Sequence, residues 1–310
     1  MEHWNLNVQR QIGRMRTLEL AYVGSRGHDL ISARDANQPP ASPSQFNFRP
    51  NPQFADITLI ESRGSSRYNA LQIRLQQRSE TGISALASYT YGKSTDDASG
   101  FFTSAGDPNF PQNSLDPEAE KGRSSFDIRH RFSVSFSTPL PFGGRRRWLS
   151  GGTIATILKD IDLHGVYTLN SGRPFTVAIL PSIDVSNTGR SNLGFGYNDR
   201  PNVSGNTGVS SSGPEQWFNT AAFTYPAFGS FGNAGRNILE GPGYRNLNLS
   251  LVKTIGSQDG LRVQIRAESF NLFNRANFDL PDPFLGSPTF GQILSAPSPR
   301  RFQFGVKAIF

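Results

Sequence analysis

Apolar and polar residues alternate along this chain in short segments, and residues 300–310 show the pattern most clearly. The apolar parity of that segment holds Phe302, Phe304, Val306, Ala308 and Phe310. The other parity is polar except for Ile309. A period of two predicts a β-strand with one apolar and one polar face. A last strand that ends on a terminal aromatic residue is typical of outer-membrane β-barrels, whose assembly machinery reads that strand.

The same alternation recurs along the rest of the chain, and its segments are joined by connectors of two different lengths. Eight further alternating segments begin near Trp4, Leu18, Leu71, Ile83, Ile128, Ile161, Leu247 and Leu261. Long polar loops occupy about residues 26–66, 95–125 and 171–243, a final loop follows, and the turns near residues 12–16, 79–82 and 256–260 are short. We therefore predict an all-β fold: an antiparallel transmembrane β-barrel segment of about nine long strands, with short periplasmic turns and long extracellular loops.

Whether the number of strands is odd or even determines whether the first and last strands can pair and close the barrel. If the last of nine strands descends to the periplasm, the first strand descends as well. Joining those two strands would create a parallel pair, whereas barrels of this kind are antiparallel. We therefore expect an incomplete part of a larger barrel, in the outer membrane of a Gram-negative bacterium.

The amino-acid composition agrees with a barrel, and it argues against disulfide-linked, thiol-dependent and nucleic-acid-binding proteins. Only 36% of residues are hydrophobic, and 31 glycines and 21 prolines are present. The absence of cysteine excludes disulfides and thiol chemistry. The N-terminus lacks a signal-peptide pattern, which predicts a longer parent protein. The net charge of +7 comes from scattered arginines whose one tight run is Arg145–Arg147, so we expect no nucleic-acid partner.

A series of motifs covering essentially the whole chain resembles a known family. The motifs include YNALQIRLQQR, ASYTYGKSTDDAS, FDIRHRFSVSFSTPLPFG, LNSGRPFTV, GSFGNAGRNILEGPGYRNLNLSLVKTI and RVQIRAESFNLFNRANFDLP. In order, they resemble the C-terminal β-barrel of TonB-dependent outer-membrane transporters of the Oar-like type, abundant in Acidobacteria. The resemblance implies that residues 1–310 are the C-terminal portion of a 22-stranded barrel.

The resemblance also implies partners that this sequence does not contain. In the family, an N-terminal plug closes the barrel, and a TonB–ExbB–ExbD complex energises it. No plug, TonB box or signal peptide is found in the sequence, so TonB would act only through the missing plug. The expected partners are outer-membrane lipid, the barrel-assembly machinery, and the missing plug and barrel strands. Family substrates are ferric siderophores, cobalamin, metals and glycans.

The predicted faces provide candidate site residues. The charges expected to face the lumen are Arg74, Arg129, Arg131, Arg262, Arg266 and Glu268. They could contact a ligand or the plug, or they could pair across strands with neighbours such as Glu19 and Asp162. The aromatic residues expected at the membrane interfaces are Tyr22, Tyr89, Tyr91 and Tyr167. For these, ordinary β-propensity is the alternative explanation.

No catalytic or metal site is predicted, and no cofactor is expected. Six acidic loop residues fit no calcium-loop spacing, and we expect solvated side chains for them: Asp96, Asp97, Asp107, Asp116, Glu118 and Glu120. The four histidines do not occur at metal-ligand spacing. The glycine-containing loops lack phosphate-binding motifs. The sequence predicts a non-enzymatic transporter barrel, with a passive porin or surface adhesin, or a secreted carbohydrate-binding protein, as alternatives.

Overall fold

The computed structural model describes residues 1–46, 48–55, 57–79, 82–100, 110–142, 148, 151–189, 199–256 and 261–310. Within these ranges the strands, in chain order, are β1 (Glu2–Ile12), β2 (Arg16–Asp35), β3 (Thr58–Arg78), β4 (Ser84–Asp96), β5 (Gly122–Arg123), β6 (His130–Pro139), β7 (Ile161–Asn170), β8 (Pro174–Phe175), β9 (Ala178–Ile179), β10 (Asn202–Val203), β11 (Phe223–Thr224), β12 (Leu239–Glu240), β13 (Tyr244–Gly256), β14 (Arg262–Phe270), β15 (Phe284–Leu285) and β16 (Arg301–Ile309). An α-helix, α1, spans Gly152–Leu158, and short 3₁₀ helices span Pro117–Glu120 and Thr220–Ala222.

One antiparallel sheet dominates the described residues and confirms the predicted all-β class. Its nine long strands follow the order β1, β2, β3, β4, β6, β7, β13, β14 and β16, and β5 extends the edge of β4. Each long strand therefore pairs with the next long strand along the chain, which is the meander of a membrane barrel. No helix in the described residues is long and apolar enough to cross a membrane.

The register separates an apolar face from a polar face, because directly opposite residues point to the same side of a sheet. One row of opposite residues runs through Leu6, Tyr22, Leu71, Tyr91 and His130. A row on the other side runs through Arg78, Ser84, Ser137, His164, Ser250, Glu268 and Gln303. We call these the apolar face and the polar face. The predicted alternation is thus realised along these rows of the sheet.

Aromatic rings cover glycines on the apolar face. The Trp4 ring lies over Gly24, where an added Cβ would be 2.3 Å from the indole, and Phe136 lies equally close over Gly165. A glycine in a strand gives no side-chain packing of its own. The neighbouring ring fills that space and keeps the apolar face continuous.

The first long loop is shorter than its polar sequence predicted. The expected loop at about residues 26–66 is wrong, because β2 continues to Asp35, β3 begins at Thr58, and only residues 36–57 connect them. The register shifts between Gly27 and Ile31, which breaks the period of two. Backbone pairing continues through this shift, but the regular alternation of apolar and polar residues does not, so the sequence pattern stops before the strands end.

Strand directions place two kinds of connection at opposite ends of the sheet. The ends of β1, β3 and β13 lead to short turns. The long connections between strands lie at the other end, and they are residues 36–57, 97–129, 171–243 and 271–300. The connection from β6 to β7, residues 140–160, departs from the expected short turn and contains α1. Strand β6 also begins at His130 rather than at Ile128.

The sheet is open. Within the described residues, β1 and β16 each pair on one side only. Both strands run toward the end that carries the short turns, so they would meet as a parallel pair. This geometry agrees with the parity argument from the sequence.

Candidate functional site

The polar face carries charges that were predicted to line a lumen. Arg74 lies opposite Glu19, and Arg74 Nη1 is 3.9 Å from Glu19 Oε2. Glu19 also accepts a hydrogen bond of 2.7 Å from Asn7 Nδ2. Because the Arg74 side chain is 53% exposed, this ion pair contributes little stability. Cross-strand pairing, one of the two roles considered for Arg74, is therefore present.

Arg131 and Arg129 occupy different settings. Arg131 lies on the polar face, opposite Thr90 on one side and Asn170 on the other. Arg129 precedes β6, and its Nη2 is 3.4 Å from Asp127 Oδ2. Since Arg129 is outside the strand, the alternation from which its position was predicted does not apply to it.

Strand β14 places its charged residues on the polar face as well. Arg262 lies opposite Ile309. Arg266 lies opposite Gly305 on β16 and Val252 on β13, and its Nη2 donates to Gln264 Oε1 over 3.2 Å. Glu268 lies opposite Ser250, whose Oγ donates to Glu268 Oε1 over 3.3 Å. The exposed surface beside Arg266 leaves its guanidinium accessible from the polar face.

A groove of about 500 Å³ crosses the polar face from β3 to β14. Its lining combines the apolar side chains of Leu86, Val166 and Phe270 with hydroxyl, amide and imidazole groups, including those of Gln76, Ser135, Ser137, His164, Asn248 and Ser250. Of the predicted charged residues, the groove contains Glu268. Such a lining offers hydrogen-bond donors and acceptors to a polar ligand.

The four long loops pack together above the sheet. We call the described parts of residues 36–57, 97–129, 171–243 and 271–300 the loop cap. Its apolar core consists of Phe175, Val177, Phe218, Ala222, Phe223 and Leu239, against which Val203, Trp217, Leu280 and Phe290 pack. Short strand pairs support this core, since β8 pairs with β12, β10 with β11, and β9 with β15. The loop cap is therefore a packed unit.

A buried ion pair fastens the loop cap to the sheet. Arg236 and Asp96 have side chains that are 0% and 3% exposed, and Arg236 Nη2 donates to the Asp96 carboxylate. The same guanidinium donates to the backbone carbonyls of Asp96 (2.6 Å) and Glu120 (2.9 Å). Three segments of chain thus meet at one arginine.

A second buried pair joins two long loops. Arg200 donates to both carboxylate oxygens of Glu120, at 2.6 and 2.9 Å, and both side chains are almost fully buried. Gln112 accepts a hydrogen bond from the Arg200 backbone and donates its own backbone N–H to Glu120. Gln38 continues the network by donating to the Gln112 carbonyl over 2.9 Å. Buried charges paired in this way hold a defined arrangement.

The expectation of solvated acidic loop residues is wrong for Asp96 and Glu120. Both are buried, because an arginine from the 171–243 loop neutralises each of them. Asp97 accepts hydrogen bonds from the backbone and hydroxyl of Ser65. Glu118 is exposed, as predicted, and the ammonium group of Lys121 lowers its pKa through a hydrogen bond. Asp107 lies outside the described residues, as do Arg145–Arg147.

One carboxyl group in the loop cap has a pKa shifted in the opposite direction. Burial raises the pKa of Asp199 above its ordinary value, and the nearby charge of Asp184 adds to this effect. Hydrogen bonds from Ser186 oppose the shift, including one of 2.8 Å from its backbone N–H. The Asp199 carboxylate therefore carries a desolvation cost that Asp96 and Glu120 offset with arginines.

The four candidate interface tyrosines share the apolar face. Tyr22 and Tyr91 lie opposite Leu71, and the Tyr22 hydroxyl donates to Asn69 Oδ1 over 2.8 Å. Tyr89 is hydrogen-bonded to His130 Nδ1 at 2.7 Å. Tyr167 makes an edge contact with Phe132. Their position at a membrane interface remains a prediction.

The terminal strand is the last edge of the sheet. Its apolar side chains project from the apolar face and are exposed: Phe302, Phe304, Val306, Ala308 and Phe310. Its role as an assembly signal remains a prediction. Among the described residues, no three His, Asp or Glu side chains are grouped to hold a metal ion.

The arginines of the loop cap were missed by the sequence reasoning. Arg200 and Arg236 are isolated basic residues within a long loop rich in Gly, Asn and Ser. The signal that the sequence offered for each was a single arginine without basic neighbours in a loop. It could not identify Glu120 or Asp96, because those partners lie far away in the sequence.

Comparisons with known proteins agree with this architecture. A family model described as "Outer membrane beta barrel domain" matches residues 1–303. No curated protein matches the chain. Among solved structures, the outer membrane transporter YddB from Escherichia coli has a similar fold, with a TM-score of 0.53 and 12% sequence identity. The match covers 98% of this chain and 32% of that transporter, so the chain spans about a third of its length.

Proposed function

Because the chain belongs to the outer membrane β-barrel domain family, we propose that it forms part of the wall of a TonB-dependent outer-membrane transporter. Its fold is an antiparallel barrel segment, and its location is the outer membrane. The open edges of β1 and β16 support a larger barrel, because further strands would satisfy their unpaired backbone groups. The family resemblance of the sequence motifs supports the TonB-dependent class.

The proposed orientation follows from the two faces. The apolar face contacts lipid, since it exposes large side chains such as Leu6, Leu71 and Phe304. The polar face lines the lumen, because its charged and amide groups require water or polar partners. The loop cap lies outside the cell and the short turns lie in the periplasm, as in barrels with long loops at one end.

The observation that carries the proposal is the loop cap that buried ion pairs hold above the polar face. Arg236 with Asp96, and Arg200 with Glu120, fix the 171–243 loop to strand β4 and to the 97–129 loop. A fixed set of loops is a rigid support for ligand capture. The captured ligand would then pass along the polar face when the plug, supplied by the rest of the transporter, rearranges. Siderophores, glycans and similar scarce polar ligands are the proposed substrates.

The assignment of the two faces is tested with single cysteines, since the chain has none of its own. Arg266→Cys should react with a membrane-impermeant maleimide in reconstituted vesicles, because Arg266 lies on the polar face. The neighbouring variant Ile265→Cys is the matched control. The cysteine of this variant should resist the impermeant reagent. A fluorophore attached to it should be quenched by a lipid-bound spin label. Equal labelling of both positions would show that the two faces do not contact lipid and a water-filled lumen, respectively.

Energy coupling distinguishes the transporter from its rivals. In iron-starved cells producing the protein that contains this chain, uptake of a ferric hydroxamate siderophore, or of a labelled maltooligosaccharide, should stop when a protonophore is added. A passive porin predicts uptake that persists, and it predicts steady conductance in planar bilayers. An adhesin predicts surface binding without energised uptake. A secreted carbohydrate-binding protein predicts a monomer that is stable in buffer without detergent.

A further inference from the structure

Basic residues occupy the apolar face at the end of the sheet that carries the long loops. Arg26 on β2 lies directly opposite Arg67 on β3. Lys93 on β4 is two residues from Thr95, the residue opposite Arg67, so it is a diagonal neighbour of that arginine. All three side chains are exposed. We call Arg26, Arg67 and Lys93 the basic rim.

The basic rim lies just beyond the row of tyrosines. Lys93 is two residues from Tyr91, and Arg26 is four residues from Tyr22 on the same face. With about 3.3 Å per residue in a strand, these separations are about 7 and 13 Å. If the tyrosines mark the edge of the hydrocarbon core, the basic rim is at the depth of the lipid headgroups.

The charge arrangement is unfavourable without an anion. Like charges directly opposite one another in a sheet destabilise it, and their Cβ atoms are separated by about 5 Å. Glu2 lies directly opposite Arg26 on the same face and offsets part of this charge, and its Oε1 is also 3.8 Å from His28 Nε2. The three cations of the basic rim outnumber this carboxylate. Asp96 is bound to Arg236, and Glu118 to Lys121.

A cavity beside the basic rim has room for a phosphate group. It measures about 580 Å³, and its lining includes Arg26, His28, Arg67 and Lys121. The hydroxyl-bearing residues Ser65, Ser66 and Thr95 also line it, as does Asp96, whose carboxylate is paired with Arg236. Guanidinium groups bind phosphate oxygens through charge-assisted hydrogen bonds, and hydroxyls complete such a site.

We propose that the basic rim binds the phosphate groups of phosphorylated glycolipids in the outer leaflet of the outer membrane. The inference rests on the orientation given under the proposed function. A lipid phosphate between Arg26 and Arg67 would neutralise their repulsion and would hold the barrel wall at a fixed depth. The apolar surface below the rim, including Leu71, would contact the acyl chains of the same lipid.

Native mass spectrometry of the full chain in detergent micelles tests this proposal with diphosphoryl lipid A as the probe. The double variant R26Q/R67Q should bind it about 30-fold more weakly, which corresponds to about 1 kcal/mol for each arginine. The charge-conserving variant R26K/R67K should retain most of the affinity. Removing the phosphates from lipid A should weaken its binding to the unaltered chain. The loss should be at least as large as the loss that R26Q/R67Q shows with diphosphoryl lipid A. Heat-modifiable migration on electrophoresis shows that each variant is folded.

The matched control is R262Q/R266Q, which removes two arginines from the polar face near the turn end of the sheet. It should leave lipid A binding unchanged. Equal losses in the control and in R26Q/R67Q would overturn the proposal, as would unchanged binding by R26Q/R67Q. If inorganic phosphate displaced lipid A at comparable concentrations, the site would take free phosphate and the lipid assignment would be lost. Because this assay measures lipid binding and not uptake, its result is independent of whether the chain belongs to an energised transporter.

Discussion

Arg236 Nη2 donates to the backbone carbonyl of Asp96 over 2.6 Å and also to the Asp96 carboxylate, with both side chains buried. Asp96 is the last residue of β4, whereas Arg236 belongs to the 171–243 loop. The contact therefore links the barrel wall to the loop cap. Because each buried charge has the other as its counterion, removing one leaves the other without compensation.

Replacing Arg236 with Ala should loosen the loop cap by about 3–5 kcal/mol, because the Asp96 charge would be buried without a partner. Urea unfolding followed by Trp217 fluorescence, in a background with Trp4 and Trp148 changed to Phe, measures the cap. The double variant D96A/R236A should lose less than the sum of the two single losses. Strict additivity would show that the two residues act independently.

The exposed pair formed by Lys121 and Glu118 provides the comparison for this experiment. Both side chains are at the surface, at 60% and 70% exposure. Lys121→Ala should leave the unfolding curve unchanged, since exposed pairs contribute little. A loss comparable to that of Arg236→Ala would mean that burial does not determine the strength of these pairs.

Gly172→Ala should disrupt the docking of the 171–243 loop. A Cβ at Gly172 would be 1.8 Å from the Gly241 carbonyl oxygen, and backbone cannot move aside as a side chain can. We expect faster cleavage of the loop cap by protease and a lower unfolding midpoint. Gly213→Ala, in the same loop with no atom within 4 Å, should behave like the unaltered chain. Similar behaviour of the two variants would contradict the close approach.

Phe218→Ala should cost the loop cap about 3–5 kcal/mol, because it removes a buried aromatic residue and leaves a cavity. Phe218 is 2% exposed, and its ring lies 5.2 Å from Phe290 and 5.6 Å from Phe223 between centroids. The sheet should keep its far-ultraviolet circular dichroism. Phe46→Ala is the control, since Phe46 is 75% exposed. A full loss of sheet structure in Phe218→Ala would show that cap and sheet unfold together.

Asp199→Asn should stabilise the loop cap at neutral pH. Burial raises the folded-state pKa of Asp199, so its favourable contribution is complete below the unfolded pKa of about 4 and is lost as the pH rises through the folded pKa. The Asn variant avoids this loss and can still accept the hydrogen bond from the Ser186 backbone. The urea midpoints of Asp199→Asn and of the unaltered chain should differ at neutral pH and become equal at acidic pH. A less stable Asn variant at neutral pH would contradict the desolvation argument.

The long strands could be predicted from the sequence because one face of each is apolar. Phe302 to Phe310, Leu71 to Leu75 and Leu247 to Leu251 show a period of two that requires no knowledge of neighbours. The upper parts of β2 and β3 could not be predicted, since the register shift between Gly27 and Ile31 breaks the alternation by which a strand is recognised. Helix α1 was also missed, because it is short and lies in a connection where the strand pattern stops.

The sequence by itself determined the number of long strands, the two-faced design, the open edges and the membrane location, because these depend on local alternation and on counting. Only the tertiary structure decided which charges meet. Asp96 and Glu120 resembled solvated loop carboxylates until folding brought Arg236 and Arg200 against them. Such partners are far apart in the chain, and their pairing depends on how the loops pack. A one-dimensional pattern contains no information about that packing.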